Sequence, residues 1–199
     1  MSGAIGVIAG VVATLGFVPY AVAIVRGRTI PSRASWLIWT VVGSALAAGH
    51  LASGGAGSVW VPLGYCAGPL VTLALAVKYG EGGTSRFDIV CLAAAALSLG
   101  VWALTGDPVV ALGVNIAIDL FGALPTIRKT WRRPGSEDRL AWSLFGLGNI
   151  LNLFAVSDLA SAEGVYPIYL VLISSIVLAL IVVPRAAPAE PEVGDVRGA

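Results

Sequence analysis

LGFVPYAVAIVRG, residues 15–27, has a second copy in the same chain. Sliding the sequence by 106 residues lays it on FGALPTIRKTWRR, residues 121–133. Gly16 then falls on Gly122 and Pro19 on Pro125, and basic residues follow both prolines. The register persists further on. Trp36 falls on Trp142 and Trp39 on Phe145, so Trp-x-x-Trp faces Trp-x-x-Phe at one distance from the proline. A slip of one residue brings WVPLGY (60–65) onto VYPIYL (165–170), with Pro62 over Pro167. A repeat of this length describes the whole fold, because each copy is one supersecondary unit.

The solvent of those units follows from composition. Of 199 residues, 57% are hydrophobic and only 12% charged, about half the charged fraction of a soluble domain. A net charge of +1 says little about nucleic acid, which is not expected as a partner. Cys66 and Cys91 lie in apolar runs and His50 is the only histidine. The sequence therefore offers neither a disulfide nor a metal site, and no cofactor is expected.

A membrane-crossing helix needs about 20 mostly apolar residues. Seven such runs occur, near 3–25, 35–53, 58–79, 87–105, 108–127, 139–157 and 164–183. The first is too long for a signal peptide and lacks a basic start. Arg and Lys fall only in alternate connections: Arg26, Arg28 and Arg33, then Lys78 and Arg86, then Arg128 to Arg139. By the positive-inside rule those three connections are cytoplasmic, with the N-terminus outside and the C-terminus inside. The expected fold is an all-α membrane protein of seven transmembrane helices in a 3+1+3 arrangement. Residues 1–79 and 107–183 form two parallel triple-helix bundles, 80–106 a linker helix, and 184–199 a disordered cytoplasmic tail.

Seven spans, the 3+1+3 repeat and a proline near the cytoplasmic end of spans 1 and 5 resemble the SWEET, SemiSWEET and PQ-loop transporter superfamily. The resemblance covers the chain to about residue 183. It implies alternating access to a midplane cavity between the bundles, with a small polar solute, sugar first, as cargo. It also implies a hinge role for Pro19 and Pro125, where each proline removes a helical hydrogen bond. Trp-x-x-Trp also resembles a motif of the nicotinamide riboside carriers, which share the plan. Proton-coupled amino acid carriers, vitamin or nucleoside carriers and a non-transporting cargo receptor are the alternatives on this fold.

The candidate site comes from depth. Asp119 lies roughly 12 Å inside the cytoplasmic end of span 5, and Asn149 roughly 13 Å inside span 6. Asn115 and Asn152 lie one turn beyond them on the same faces. A charged side chain at that depth marks a functional path, and Asp119 is the only central acid. The equivalent positions in the first repeat are Ala13, Gly43, Ala9 and Leu46. They predict one polar wall facing one wall of small residues that leaves volume. The competing reading is hydrogen-bonded glue between helices. Trp39 and Phe145 are candidates for a gate or a stacking surface, and Asp119 for a proton carrier. Trp36, Trp131 and Trp142 read as interfacial anchors, and Glu81, Asp88, Glu137 and Asp138 as solvated loop charges. The expected partners are the bilayer, a small polar solute and protons, and a homo-oligomer is compatible with the plan. No Ser/His pair, paired carboxylates or metal cluster occurs in the spans, and no lysine lies where a retinal Schiff base needs one. Enzyme and light-driven pump are therefore not expected.

Overall fold

The structure, a computed structural model, describes residues 2–52, 60–104, 108–159 and 162–183. Side chains are not described at 2–3, 46, 48–52, 60–65, 102–103, 108–109, 111 and 162–163. Leu46, His50, Pro62 and the expected tail at 184–199 thus fall wholly or by their side chains outside the description. The described residues are helical, with no strand beyond an isolated bridge between Ser32 and Glu81.

Each apolar run is a helix. They are α1 (Ser2–Leu15) with α2 (Phe17–Val25), α3 (Arg33–Ala52), α4 (Trp60–Tyr79), α5 (Arg86–Leu104), α6 (Pro108–Arg132), α7 (Arg139–Leu153) and α8 (Ala162–Val182). Two stretches are long and apolar enough to cross a membrane by length and composition, Ala4–Val25 and Gly164–Val182. Outward faces carry apolar side chains, such as Val18 (61% exposed), Leu97 (72%) and Leu172 (57%). Three buried hydroxyls are satisfied inside their own helices: Thr40 donates to Trp36 O, Thr72 to Gly68 O, and Thr130 to Thr126 O. That pairing with the preceding turn needs no water.

The boundaries differ from expectation in three places. The first run is broken at Gly16, whose N–H bonds Ala13 O three residues back. Pro19 cannot donate to Leu15, so the break falls one turn before it. α6 continues through the basic cluster to Arg132, because Lys129 and Thr130 are buried rather than solvated. Positive side chains also suit a helix C-terminus. α7 ends at Leu153, with the next N–H groups turning back onto Leu151 and Asn152.

Packing comes in matched pairs. α4 packs on α3 and α2, and α8 packs on α7 and α6. Between the halves, α1 packs on α7 and α3 on α6. α5 lies against α6 and α3. α2, α4 and α6 end, and α3, α5 and α7 begin, at one end of the molecule, where their connections are tied together. Ile30 N–H donates to Ser136 O, Glu81 N–H to Pro31 O, and Arg33 N–H to Glu81 O.

Candidate functional site

The structure brings Asp119 and Trp39 together and adds a residue the sequence reading missed. Asp119 is buried (6% exposed) and accepts a 2.8 Å hydrogen bond from the Tyr169 hydroxyl of α8. The Trp39 indole N–H, from the other half, faces the same carboxylate. Its placement depends on Gly122, one turn along α6. A Cβ there would lie 2.9 Å from Trp39 Nε1, inside van der Waals contact. Tyr169 was legible only as part of VYPIYL, aligned there for its proline.

Asn149 does not join this pair directly. Its Nδ2 donates to Leu170 O (3.3 Å) and to Ser174 Oγ (3.4 Å) on α8. Asp119 and Asn149 therefore dock on neighbouring positions of one helix, α8, which lies between α6 and α7. Asn115 and Asn152 are half-buried. The facing wall of small residues is not empty. A Cβ at Gly148 would fall 2.8 Å from Ala13 N and 2.7 Å from Ala13 Cβ. Ala13 and Gly148 thus bring the α1 and α7 backbones into direct contact, and Ala9 is buried as well. The expected volume at Ala13 is used for close helix approach.

Below this layer six aromatic rings form a plug across both halves. Phe145 meets Phe17 (5.0 Å between centroids) and Trp142 (5.6 Å); Trp36 meets Trp39 (5.0 Å) and Tyr20 (5.2 Å). All but the tilted Tyr20–Trp36 pair are edge-on, and edge-on pairs at these distances are attractive beyond their buried area. Phe145 is seated on Gly16, where a Cβ would lie 2.6 Å from its ring. The repeat is therefore reciprocal in space. Trp39 of the first half fills the notch at Gly122 of the second, and Phe145 of the second fills the notch at Gly16 of the first. Trp36 and Trp142 are buried in this plug, so they are not interfacial anchors, whereas Trp131 is 64% exposed.

Under the plug lies a polar clasp. The Lys129 ammonium donates to Ile30 O and pairs with Glu137. The other Glu137 oxygen accepts from Trp142 Nε1 (2.8 Å). Thr126 donates to Ser35 Oγ (2.8 Å), joining α6 to α3. Arg133 pairs with Glu81 at the surface. Glu137 and Asp88 are buried rather than solvated; Asp88 lies in the first turn of α5 and accepts from Gly83 N–H (2.9 Å). The Thr29 and Ser136 hydroxyls in this clasp are buried without a partner among the described residues.

Each repeated proline borders a concavity. The one at Pro125 holds about 200 Å³ and is lined by Ser32, Asp88, Arg128 and Arg132. The one at Pro19 holds about 480 Å³ and is mostly apolar. Neither reaches the Asp119 layer. Comparison with protein families, curated proteins and solved structures finds no match to this chain.

Proposed function

We propose that this chain is a multi-pass membrane transporter of the SWEET and PQ-loop plan, with seven spans in a 3+1+3 arrangement. It moves a small polar solute by rocking two triple-helix halves about the aromatic plug. The single observation that carries this reading is the reciprocal seating of Trp39 on Gly122 and Phe145 on Gly16. Two halves that rock against each other need matched surfaces where they meet, and these equivalent notches, filled crosswise, supply them. The matched helix pairings and the apolar outward faces support the same reading. The clasp is the gate on the basic, cytoplasmic side. Its two unpartnered hydroxyls gain hydrogen bonds to water when it opens.

Asp119 is the solute- or proton-handling group, held by Tyr169 from its own half and faced by Trp39 from the other. A group that touches both halves feels their relative motion. The purified protein is tested by thermal shift against glucose, single amino acids and nicotinamide riboside, because binding to the folded form raises the melting temperature with concentration. One class should stabilise the wild type, and Asp119→Asn should weaken that effect by about tenfold in concentration, as expected for losing one charge-assisted contact. In vesicles the same solute should exchange. No exchange of any class by a well-folded protein contradicts the transport reading. Unchanged binding and exchange in Asp119→Asn removes Asp119 from the site.

A further inference from the structure

The concavity at Pro19 lies where α2 meets α7. Its floor is apolar: Leu15, Val18, Pro19, Val22, Leu140 and Leu144. Its rim carries one cation, Arg28, and one anion, Asp138. The two rim charges are brought to one mouth by the clasp, since Ile30 N–H holds Ser136 O between them. Gly27, at φ +68°, turns the chain back at the end of α2, with Arg28 N–H closing on Ala23 O. A left-handed residue there costs glycine nothing. Arg28 and Asp138 do not pair with each other; the ion pairs among the described residues are Lys129–Glu137 and Arg133–Glu81. One Asp138 oxygen caps α7 through Ala141 N–H at 2.8 Å, and the other has no hydrogen-bond donor among the described residues.

The repeat shows what is special about this groove. Pro19, Val22 and Asp138 correspond to Pro125, Arg128 and Ser32, which line the other concavity. In that one Asp88, in the first turn of α5, and Ser85 just before that helix form part of the wall. Among the described residues no further helix lines the groove at Pro19 as α5 lines the one at Pro125.

We infer that the Pro19 groove is a binding site for a phospholipid bearing both a phosphate and a primary ammonium, of the phosphatidylethanolamine class. An acyl chain lies along the apolar floor, the phosphate meets the Arg28 guanidinium, and the ammonium donates to the other Asp138 oxygen. A guanidinium suits a phosphate through paired N–H donors. Unpaired opposite charges on one rim select a zwitterion over a purely anionic headgroup, and an ammonium with N–H donors over a quaternary amine. The lipid supplies the lateral support for α2 that α5 supplies for α6. This inference rests on the membrane reading but needs no transport.

Full-length protein is reconstituted in equal parts phosphatidylethanolamine, phosphatidylcholine and phosphatidylglycerol, and the lipid it retains is read by native mass spectrometry. The ethanolamine lipid should be enriched by about tenfold, the scale of one charge-assisted contact. Asp138→Asn keeps the helix cap, since Asn caps as well as Asp, yet should abolish the preference over the choline lipid. Arg28→Gln should lower retention of all three. Leu144→Trp fills the floor and should displace the lipid, while Leu172→Trp on the exposed face of α8 should not. Equal retention of the three lipids by the wild type, or unchanged preference in Asp138→Asn, overturns the assignment. So does a dimer that Leu144→Trp dissolves, because the groove then holds a second copy. Lipid preference without solute exchange leaves this site standing and removes the transport reading; solute exchange without lipid preference does the reverse.

Discussion

The two halves of this molecule share a frame and differ in chemistry. Gly16 and Gly122 keep the same notch, Trp39 and Phe145 fill those notches from opposite sides, and Pro19 and Pro125 hold the same register. At the polar positions the halves part. Asp119 and Tyr169 correspond to Ala13 and Gly64, and the buried pair Lys129–Glu137 corresponds to Ala23 and Pro31. The features that both copies keep set how closely backbones approach and where they bend. Of the two halves, only the second holds buried charge among the described residues, at Asp119, Lys129 and Glu137. The same proline also acts differently in the two settings. α6 runs through Pro125 unbroken, packed by α3, α5 and α8, whereas the first span breaks one turn before Pro19, with Val18 and Val22 facing outward. α2 packs on α4 and α7 while α6 packs on α3, α5 and α8, so the two prolines act in different surroundings.

The largest break in this comparison comes from the clasp. Lys129→Met leaves Glu137 buried without its cation and should cost about 3–5 kcal/mol of stability. Arg133→Met opens the surface pair and should cost under about 1 kcal/mol. Because the first half fills the equivalent positions with Ala23 and Pro31, an apolar solution exists there. Lys129→Met combined with Glu137→Leu should therefore recover part of the single-variant loss. Unfolding of the four proteins in one detergent checks this, and a double variant less stable than Lys129→Met would show that the charges do more than neutralise each other.

The notches give a smaller effect that separates the halves. Gly16→Ala drives a Cβ to 2.6 Å from the Phe145 ring, and Gly122→Ala to 2.9 Å from Trp39 Nε1. Overpacking of this kind costs about 1–3 kcal/mol, with Gly16→Ala the worse because its contact is the closer. Phe145→Leu should relieve Gly16→Ala, and Trp39→Leu should relieve Gly122→Ala. Crosswise combinations should not. Gly10 and Gly113 have no atom within 4 Å of an added Cβ, so alanine there should be neutral or stabilise by up to about 1 kcal/mol through helix propensity. Equal costs at all four glycines, read by thermal unfolding, would remove the notches from the comparison.

Much of this was legible in the sequence. Apolar run length fixed each helix to within a few residues, because it depends only on local composition. The offset of 106 residues exposed Gly16, Gly122, Trp39 and Phe145 as equivalents. That their contacts cross between halves was not legible, since periodicity says nothing about which helix faces which. Asp119 stood out by its depth, but Tyr169 did not, because a tyrosine in an apolar run is ordinary. Ala13 read as free volume and proved to be a contact with Gly148; a small side chain permits either outcome, and only packing decides. Glu137 read as a solvated charge because it lies between helices. It is buried because the 133–138 turn folds back over Trp142 and Lys129.

The central claim is that the two halves move against each other and open the clasp. It is tested without knowing the solute by spin-label distances across that clasp. Labels are placed at Arg26→Cys, an exposed side chain on the first loop, and at Gly135→Cys, where an added side chain meets open space. Cys66 and Cys91 are replaced by alanine. In membranes the distance distribution should hold two populations, a short one for the clasped form and a longer one for the open form. Lys129→Met should shift weight to the longer one. A single narrow distance, unchanged in Lys129→Met, would contradict the moving halves and leave a rigid bundle.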